Sequence, residues 1–348
     1  MKKLFNKIVV IELNSNKITS LIADPRSMIN KKFNLSLFKI KKQEFLFEKD
    51  NITNNVLNLD YFNKSIIPNL SNHFRYCISL RPVLIKFINT GFFSEVLNSE
   101  ELLKIIEQRM KQYLTKGSTI YYEKLSYSQI AYYSFTSFLD TTSTNYSEET
   151  EKTWWYNEEV YDQKYFFKNK SLHININSYF TQITIFNGDN FTDTFNIPIG
   201  VKSFCDLLIK LDSIDTKIIK LELKKINKNL LKTLNKIDIS TGDIKLCVGS
   251  GITPIVEGFN FEQTRMSMSS HIFSELLDKK IKRLPKIHKS SRNNEYARIM
   301  LNAYLRETVS FYILDSTFFH FNFPDVCLNY ANYRIGLAHN LLYQIKDP

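Results

Sequence analysis

A chain of 348 residues is long enough for two domains, and an apolar content of 43% supplies enough side chains for a core in each. The net charge of +11 and isoelectric point near 9.2 admit an anionic partner such as nucleic acid, polyphosphate or an anionic membrane surface. Yet the basic residues read as scattered, solvated lysines of an AT-rich coding bias, the densest run being Lys279-Lys280-Ile281-Lys282-Arg283, and no specific nucleic-acid motif stands out. No run approaches the ~18 apolar residues of a membrane span, and Glu12 breaks the N-terminal apolar run Ile8-Val9-Val10-Ile11 too early for a signal-peptide core. Cys77, Cys205, Cys247 and Cys327 lie far apart without C-x-x-C spacing, so no zinc or redox motif is expected, and a reduced, cytoplasmic setting fits.

In chain order, the β-branched run Ile8 to Ile11 predicts a strand that turns at Asn14-Ser15-Asn16, and Ile18 to Ala23 predicts its hairpin partner. Phe33 to Phe47 and Val83 to Asn89 are further strand candidates. Asn98 caps a predicted helix with Glu100 and Glu101 in its first turn and Gly117 at its end. Residues 140–170, carrying Glu148-Glu149-Thr150-Glu151 and Trp154-Trp155, read as an insertion or linker. A second hairpin is expected from Leu172 to Ile176 and Thr181 to Phe186, with the turn signal Asn187-Gly188-Asp189. Lys217 to Leu234 is helical by its apolar spacing. Ile244 to Val248 is a strand running into Gly249-Ser250-Gly251. Helices are then expected over His271 to Ile281, about 294–318 and Arg334 to Ile345, while Met266-Ser267-Met268 reads as packing rather than a metal site. The six histidines, His173, His271 and His339 among them, show no ligand spacing, so no metal site is expected.

The opening strand-turn-strand pattern recurs about 165 residues later, which suggests a duplicated α/β fold. The pattern resembles that of the actin-like superfamily, which implies that each hairpin turn wraps a phosphate, with backbone N–H groups approaching its oxygens and an acidic residue holding a metal or water.

Several stretches resemble the exopolyphosphatase and guanosine pentaphosphate phosphatase family, in order and at matching intervals. Ile11-Glu12-Leu13-Asn14-Ser15-Asn16-Lys17 is similar to the family's I-D-x-G-S-N-S, with Glu12 for the acid and Asn14 for the glycine. Thr90 to Asn98 resembles T-S-A-L-R-E-A-x-N, keeping Thr90, Glu95 and Asn98 but placing Ser94 where a phosphate-binding arginine stands. Leu125 to Ala131 matches I-S-G-E-E-E-A in position, with Gln129 and Ile130 among the residues that replace its carboxylates. Asn175 to Gln182 stands for D-I-G-G-G-S-T-E, retaining Thr181 and putting Tyr179 and Phe180 where a phosphate needs room. Ile197-Pro198-Ile199-Gly200, Val248-Gly249-Ser250-Gly251 and Tyr333-Arg334-Ile335-Gly336-Leu337 are similar to L-P-[IL]-G, V-G-T-G-G and L-R-E-G-L. The family's R-A-D-x-I-L-A-G-A aligns with Glu295 to Ala303 without its Arg and Asp.

The resemblance implies a two-domain actin-like (ribonuclease H-like) α/β fold with an interdomain cleft. Domain I would span 1–135 and be rejoined by a helix at about 334–348, and domain II would span 171–333. It implies ligand-binding positions at Asn14, Ser15, Asn16, Thr181, Gly249, Ser250 and Gly251, and a phosphohydrolase whose base, arginine and second loop are lost. The expected function is a catalytically impaired, cytoplasmic interaction or regulatory protein with residual nucleotide or polyphosphate binding. A protein partner or self-association would replace turnover. Two alternatives stay open: an active polyphosphate or guanosine pentaphosphate phosphohydrolase using Glu12 and Glu123, the one case in which Mg²⁺ would enter as a cofactor, and an actin-like cell-division or cytoskeletal protein.

Overall fold

The computed structural model describes residues 7–14, 17–24, 39–44, 51–114, 117–142, 169–177, 180–187, 190–202, 205, 215–237, 244–250, 265–291, 295–323, 325–329 and 333–346. Ser15, Asn16, Tyr179, Gly251 and the tryptophans of the expected insertion lie outside them. The elements in chain order are β1 (Ile8–Asn14), β2 (Lys17–Ala23), β3 (Lys39–Glu44), β4 (Ile52–Thr53), β5 (Val56–Leu57), α1 (Ile67–Ser79), β6 (Leu84–Asn89), α2 (Phe92–Glu95), α3 (Ser99–Lys111), β7 (Thr119–Lys124) and α4 (Tyr127–Thr142). There follow β8 (Lys170–Ile176), β9 (Thr181–Asn187), β10 (Asn190–Ile197), α5 (Thr216–Leu234), β11 (Ile244–Ser250), β12 (Arg265–Ser269), α6 (Ser270–Ser291), α7 (Glu295–His320), β13 (Asp325–Asn329) and α8 (Tyr333–Lys346). The chain divides into two units, Met1–Tyr133 with Tyr333–Pro348, and Ser134–Asn332.

The first unit is built on a five-stranded sheet in the order β3-β2-β1-β6-β7. β1 and β2 form the antiparallel hairpin read from the sequence, and β6 and β7 continue the sheet parallel to β1. Alternation along β1 sends Val9, Ile11 and Leu13 to one face, where they join Ile85 and Phe87 of β6 in a core with α1 and α3. α1 was not anticipated. Its stripe Ile67, Leu70, Phe74, Cys77 and Ile78 has helical spacing, Pro68 sits in its first turn, and all five stripe residues are buried. α3 ends at Lys111 rather than near Gly117, which adopts φ +93° in the turn before β7. Asn98 holds the N-cap position, but its side chain does not cap: it accepts from Leu57 N (3.0 Å) and donates to Leu57 O (2.9 Å), tying β5 to the start of α3.

The second unit carries a six-stranded sheet, β10-β9-β8-β11-β13-β12. β8, β9 and β10 form an antiparallel meander, so Asn187-Gly188-Asp189 joins β9 to β10 rather than closing the first hairpin. β8, β11 and β13 run parallel, and β12, which contains Met266-Ser267-Met268, is an antiparallel edge. Leu172, Ile174 and Ile176 of β8 and Ile183 and Ile185 of β9 share a core with α5, α6 and α7, and Phe273 of α6 stacks on Phe311 of α7 at 4.7 Å. α6 continues ten residues beyond the expected Ile281, through Pro285.

Candidate functional site

The face of the first sheet opposite its main core bears Ile8, Val10 and Glu12, and α8 packs on β1 and β2. Register places Glu12 of β1, Ile88 of β6 and Glu123 of β7 in one row, so the two carboxylates named from the sequence share a face two strands apart. Their backbones lie two inter-strand spacings apart, about 10 Å.

Glu12 is fully buried. Its Oε1 accepts hydrogen bonds from Asn14 Nδ2 (2.9 Å), Thr90 Oγ1 (2.6 Å) and the Tyr333 hydroxyl, and its Oε2 accepts from Arg334 Nη1 in an ion pair. Burial alone would raise the Glu12 carboxyl. The Arg334 and Lys17 charges and the hydrogen bonds from Thr90 and Tyr333 outweigh it and hold the group at about 2. Burial and the neighbouring Glu12 charge together push the Tyr333 phenol well above its ordinary range, so it donates as a neutral hydroxyl. Asn14, predicted to touch a ligand, spends a donor on Glu12, and Thr90 N donates to Leu13 O, which fixes the Thr90 hydroxyl beside the carboxylate.

Glu123 is also engaged, by an ion pair with Lys86 and by Gln129 Nε2 at 2.8 Å. Gln129 stands in the stretch matched to the family's general-base motif. It forms a reciprocal cap with Ser126 at the start of α4: Ser126 N donates to Gln129 Oε1 (2.8 Å), and Gln129 N donates to Ser126 Oγ (3.2 Å). A structural cap thus occupies that position. Ser94, standing for the family arginine, donates to Gly91 O at 2.7 Å.

In the second unit, the residues at the C-terminal ends of the parallel strands form a polar row. Register aligns Asn196 (β10), Gln182 (β9), Asn175 (β8), Ser250 (β11), Asn329 (β13) and Arg265 (β12). Asn175 and Gln182 are buried, and Gln182 Nε2 donates to Asn196 Oδ1 at 3.2 Å. Thr181 follows at the next register position, buried, with its hydroxyl donating to Ile199 O (2.8 Å). Gly249 lies one position inside the row, opposite Ile174. Phe180 is buried, and its carbonyl accepts from Asn177 N at 2.9 Å, closing the turn between β8 and β9. Thr181, Gly249 and Ser250 therefore meet at one end of this sheet, while Asn14 belongs to the other unit.

Among the described residues the donor set does not fit Mg²⁺. Glu12, the buried carboxylate beside the first hairpin turn, is already neutralised by Arg334, and the matching position of the second hairpin is the neutral Asn175. No group of three or more His, Cys, Asp or Glu that could hold a metal occurs among the described residues. Tyr333 and Arg334 belong to a sequence landmark but were not expected to be site residues. The available signal was a lone arginine opening the last helix of a fold that returns to its first sheet.

No protein-family model and no curated protein sequence matches the chain. Solved structures do. A Ppx/GppA family member from Aquifex aeolicus is 15% identical over 98% of this chain and 99% of its own, with a TM-score of 0.66. An exopolyphosphatase from Cytophaga hutchinsonii is 14% identical over 97% and 98%, TM-score 0.61, and an exopolyphosphatase-like protein is 11% identical over 99% and 100%, TM-score 0.64. The fold is that of the Ppx/GppA family, a two-domain actin-like fold of mixed sheets flanked by helices.

Proposed function

We propose that this exopolyphosphatase-like protein has lost efficient hydrolysis and acts by binding, as an interaction or regulatory protein of the cytoplasm. The observation that carries this reading is the Glu12–Arg334 pair: the acidic group that a phosphohydrolase of this fold would aim at a metal or water is saturated from within the chain. The Lys86–Glu123 pair and the Ser126–Gln129 cap support it, because neither leaves a free base at the matched position. A cytoplasmic setting agrees with the buried thiols Cys77 and Cys205 and with the described helices, none of which is long and apolar enough to cross a membrane. The neutral, buried Asn175, Gln182 and Thr181 at one end of the second sheet support residual binding of a nucleotide or polyphosphate without metal.

Thermal unfolding with ATP, GTP, guanosine pentaphosphate or polyphosphate, each with and without Mg²⁺, tests this. A ligand at 100 times its Kd adds about 2.7 kcal/mol of stability. The expected shifts are the same with and without Mg²⁺. A shift that appears only with Mg²⁺ means that a working metal site exists, and the reading fails.

A further inference from the structure

The lysines that look scattered in the sequence are gathered by the fold. α5 and α6 together hold twelve basic and three acidic residues, a net +9 against +11 for the whole chain. On α5, Lys217, Lys220, Lys224, Lys225, Lys228 and Lys232 are all exposed, and at 3.6 residues per turn they fall within an arc of roughly 140°. On α6, Lys279, Lys282, Arg283, Lys286 and Lys289 are exposed within roughly 120°. Lys280 turns inward instead, to Glu307 of α7 at 2.8 Å. The three acids do little to interrupt the face. Glu222 pairs with Lys225, Glu275 sits near His271 at the start of α6, and Asp278 meets Lys220 at 3.8 Å. This last pair joins the edge of one arc to the edge of the other, so the two basic arcs adjoin.

We propose that this face docks the phosphate backbone of a nucleic-acid duplex without reading its sequence. α5 and α6 are 19 and 22 residues long, so they run for about 28 and 33 Å, the length of eight to ten base pairs at ~3.4 Å each. Lysines are mobile point charges suited to phosphate oxygens along such a rod. Neither arc holds an aromatic residue on which unstacked bases could lie, which disfavours a single strand. Leu221, 56% exposed, is the one large apolar side chain described as exposed on the two helices, too little to seat a face in a lipid surface or to anchor an acidic protein. The proposal is independent of the carboxylate cluster on β1 and stands or falls apart from the loss of hydrolysis.

The test is fluorescence anisotropy of the full chain with a labelled ~20-base-pair duplex of arbitrary sequence, titrated between ~50 and ~200 mM salt. Expected is binding that weakens with salt and is indifferent to sequence. The combined variant Lys224→Gln, Lys228→Gln, Lys282→Gln, Arg283→Gln should bind at least tenfold more weakly. Its log–log salt slope should be shallower by about 3.6, since each phosphate that a basic side chain neutralises contributes ~0.9. A control neutralising exposed Lys39, Lys64, Lys104 and Lys111 of the first unit should bind like the parent. Parent-like binding by the first variant, equal losses in the control, or binding to phosphatidylserine vesicles or an acidic peptide with none to duplex would each overturn the proposal.

Discussion

Arg334, at the start of α8, donates to the carboxylate of Glu12, a residue 322 positions earlier on the first strand of the chain. The pair is buried, with side-chain exposures of 11% and 0%. Two charges taken out of water attract strongly but lose their hydration, so such a pair contributes little net stability while being costly to break from one side. Glu12→Gln and Arg334→Met should each cost about 3–5 kcal/mol in urea unfolding, because each strands the other charge. The double variant should lose clearly less than the sum. Additive losses would mean that the two side chains are not coupled.

The acid limb of stability should carry the same signature. Glu12 titrates at about 2 in the fold against an ordinary value of 4.5, so the unfolded chain takes up its proton first as pH falls. Its stabilisation is therefore complete above about pH 4.5 and is lost as pH drops through about 2, at about 1.4 kcal/mol per unit of separation. Unfolding free energies measured over that window should fall less steeply for Arg334→Met than for the parent. An unchanged slope would count against the assignment of the low carboxyl to this pair.

His173, on β8, is 1% exposed beside the rings of Phe135 and Phe186, and neither of its ring nitrogens has a partner among the described residues. Burial pushes it down to about 3 and His73 to about 4, so both stay neutral in the fold while unfolded histidines protonate below about 6.5. Stability conferred by their neutral state is present above that value and is lost as pH falls through the folded values. His173→Phe removes a desolvated polar ring and should raise stability by about 1–3 kcal/mol. It should also flatten the decline below pH 6.5 in part, leaving the share of His73. Lower stability at neutral pH would point to a hydrogen bond essential to the ring.

Asn98→Ala removes both hydrogen bonds to the backbone of Leu57, whose side chain is fully buried. The expected cost is about 1–3 kcal/mol. Amide hydrogen exchange should accelerate first over β4 and β5. Faster exchange confined to the start of α3 would mean that the side chain acts as a helix cap after all.

The fold was legible because its signals are local: β-branched runs around short turns, Ile197-Pro198-Ile199-Gly200, and the glycine at the end of β11, each at a sensible interval. α1 escaped because His73, Arg75 and Tyr76 dilute a stripe whose apolar members are buried all the same. The candidate site was half legible. Glu12 and Glu123 stand out as acids near strand ends, but what neutralises them cannot be read from neighbours in sequence. Arg334 reaches Glu12 only after the chain has built a whole second unit, and no periodicity encodes that return. Lys86 reaches Glu123 because β6 and β7 pair in parallel across the intervening α2 and α3, a register that sequence spacing does not fix. The basic face was missed for a related reason, since α5 and α6 are separate segments of the chain, with β11 and β12 between them, and meet only in the fold.

Release of inorganic phosphate from polyphosphate and from guanosine pentaphosphate, with Mg²⁺ in excess, tests the central claim most directly. An internally saturated Glu12 predicts turnover far below the ~1 s⁻¹ at the lower end of ordinary enzymes, and no further loss in Glu12→Gln. Turnover at or above that rate, abolished by Glu12→Gln, would contradict it.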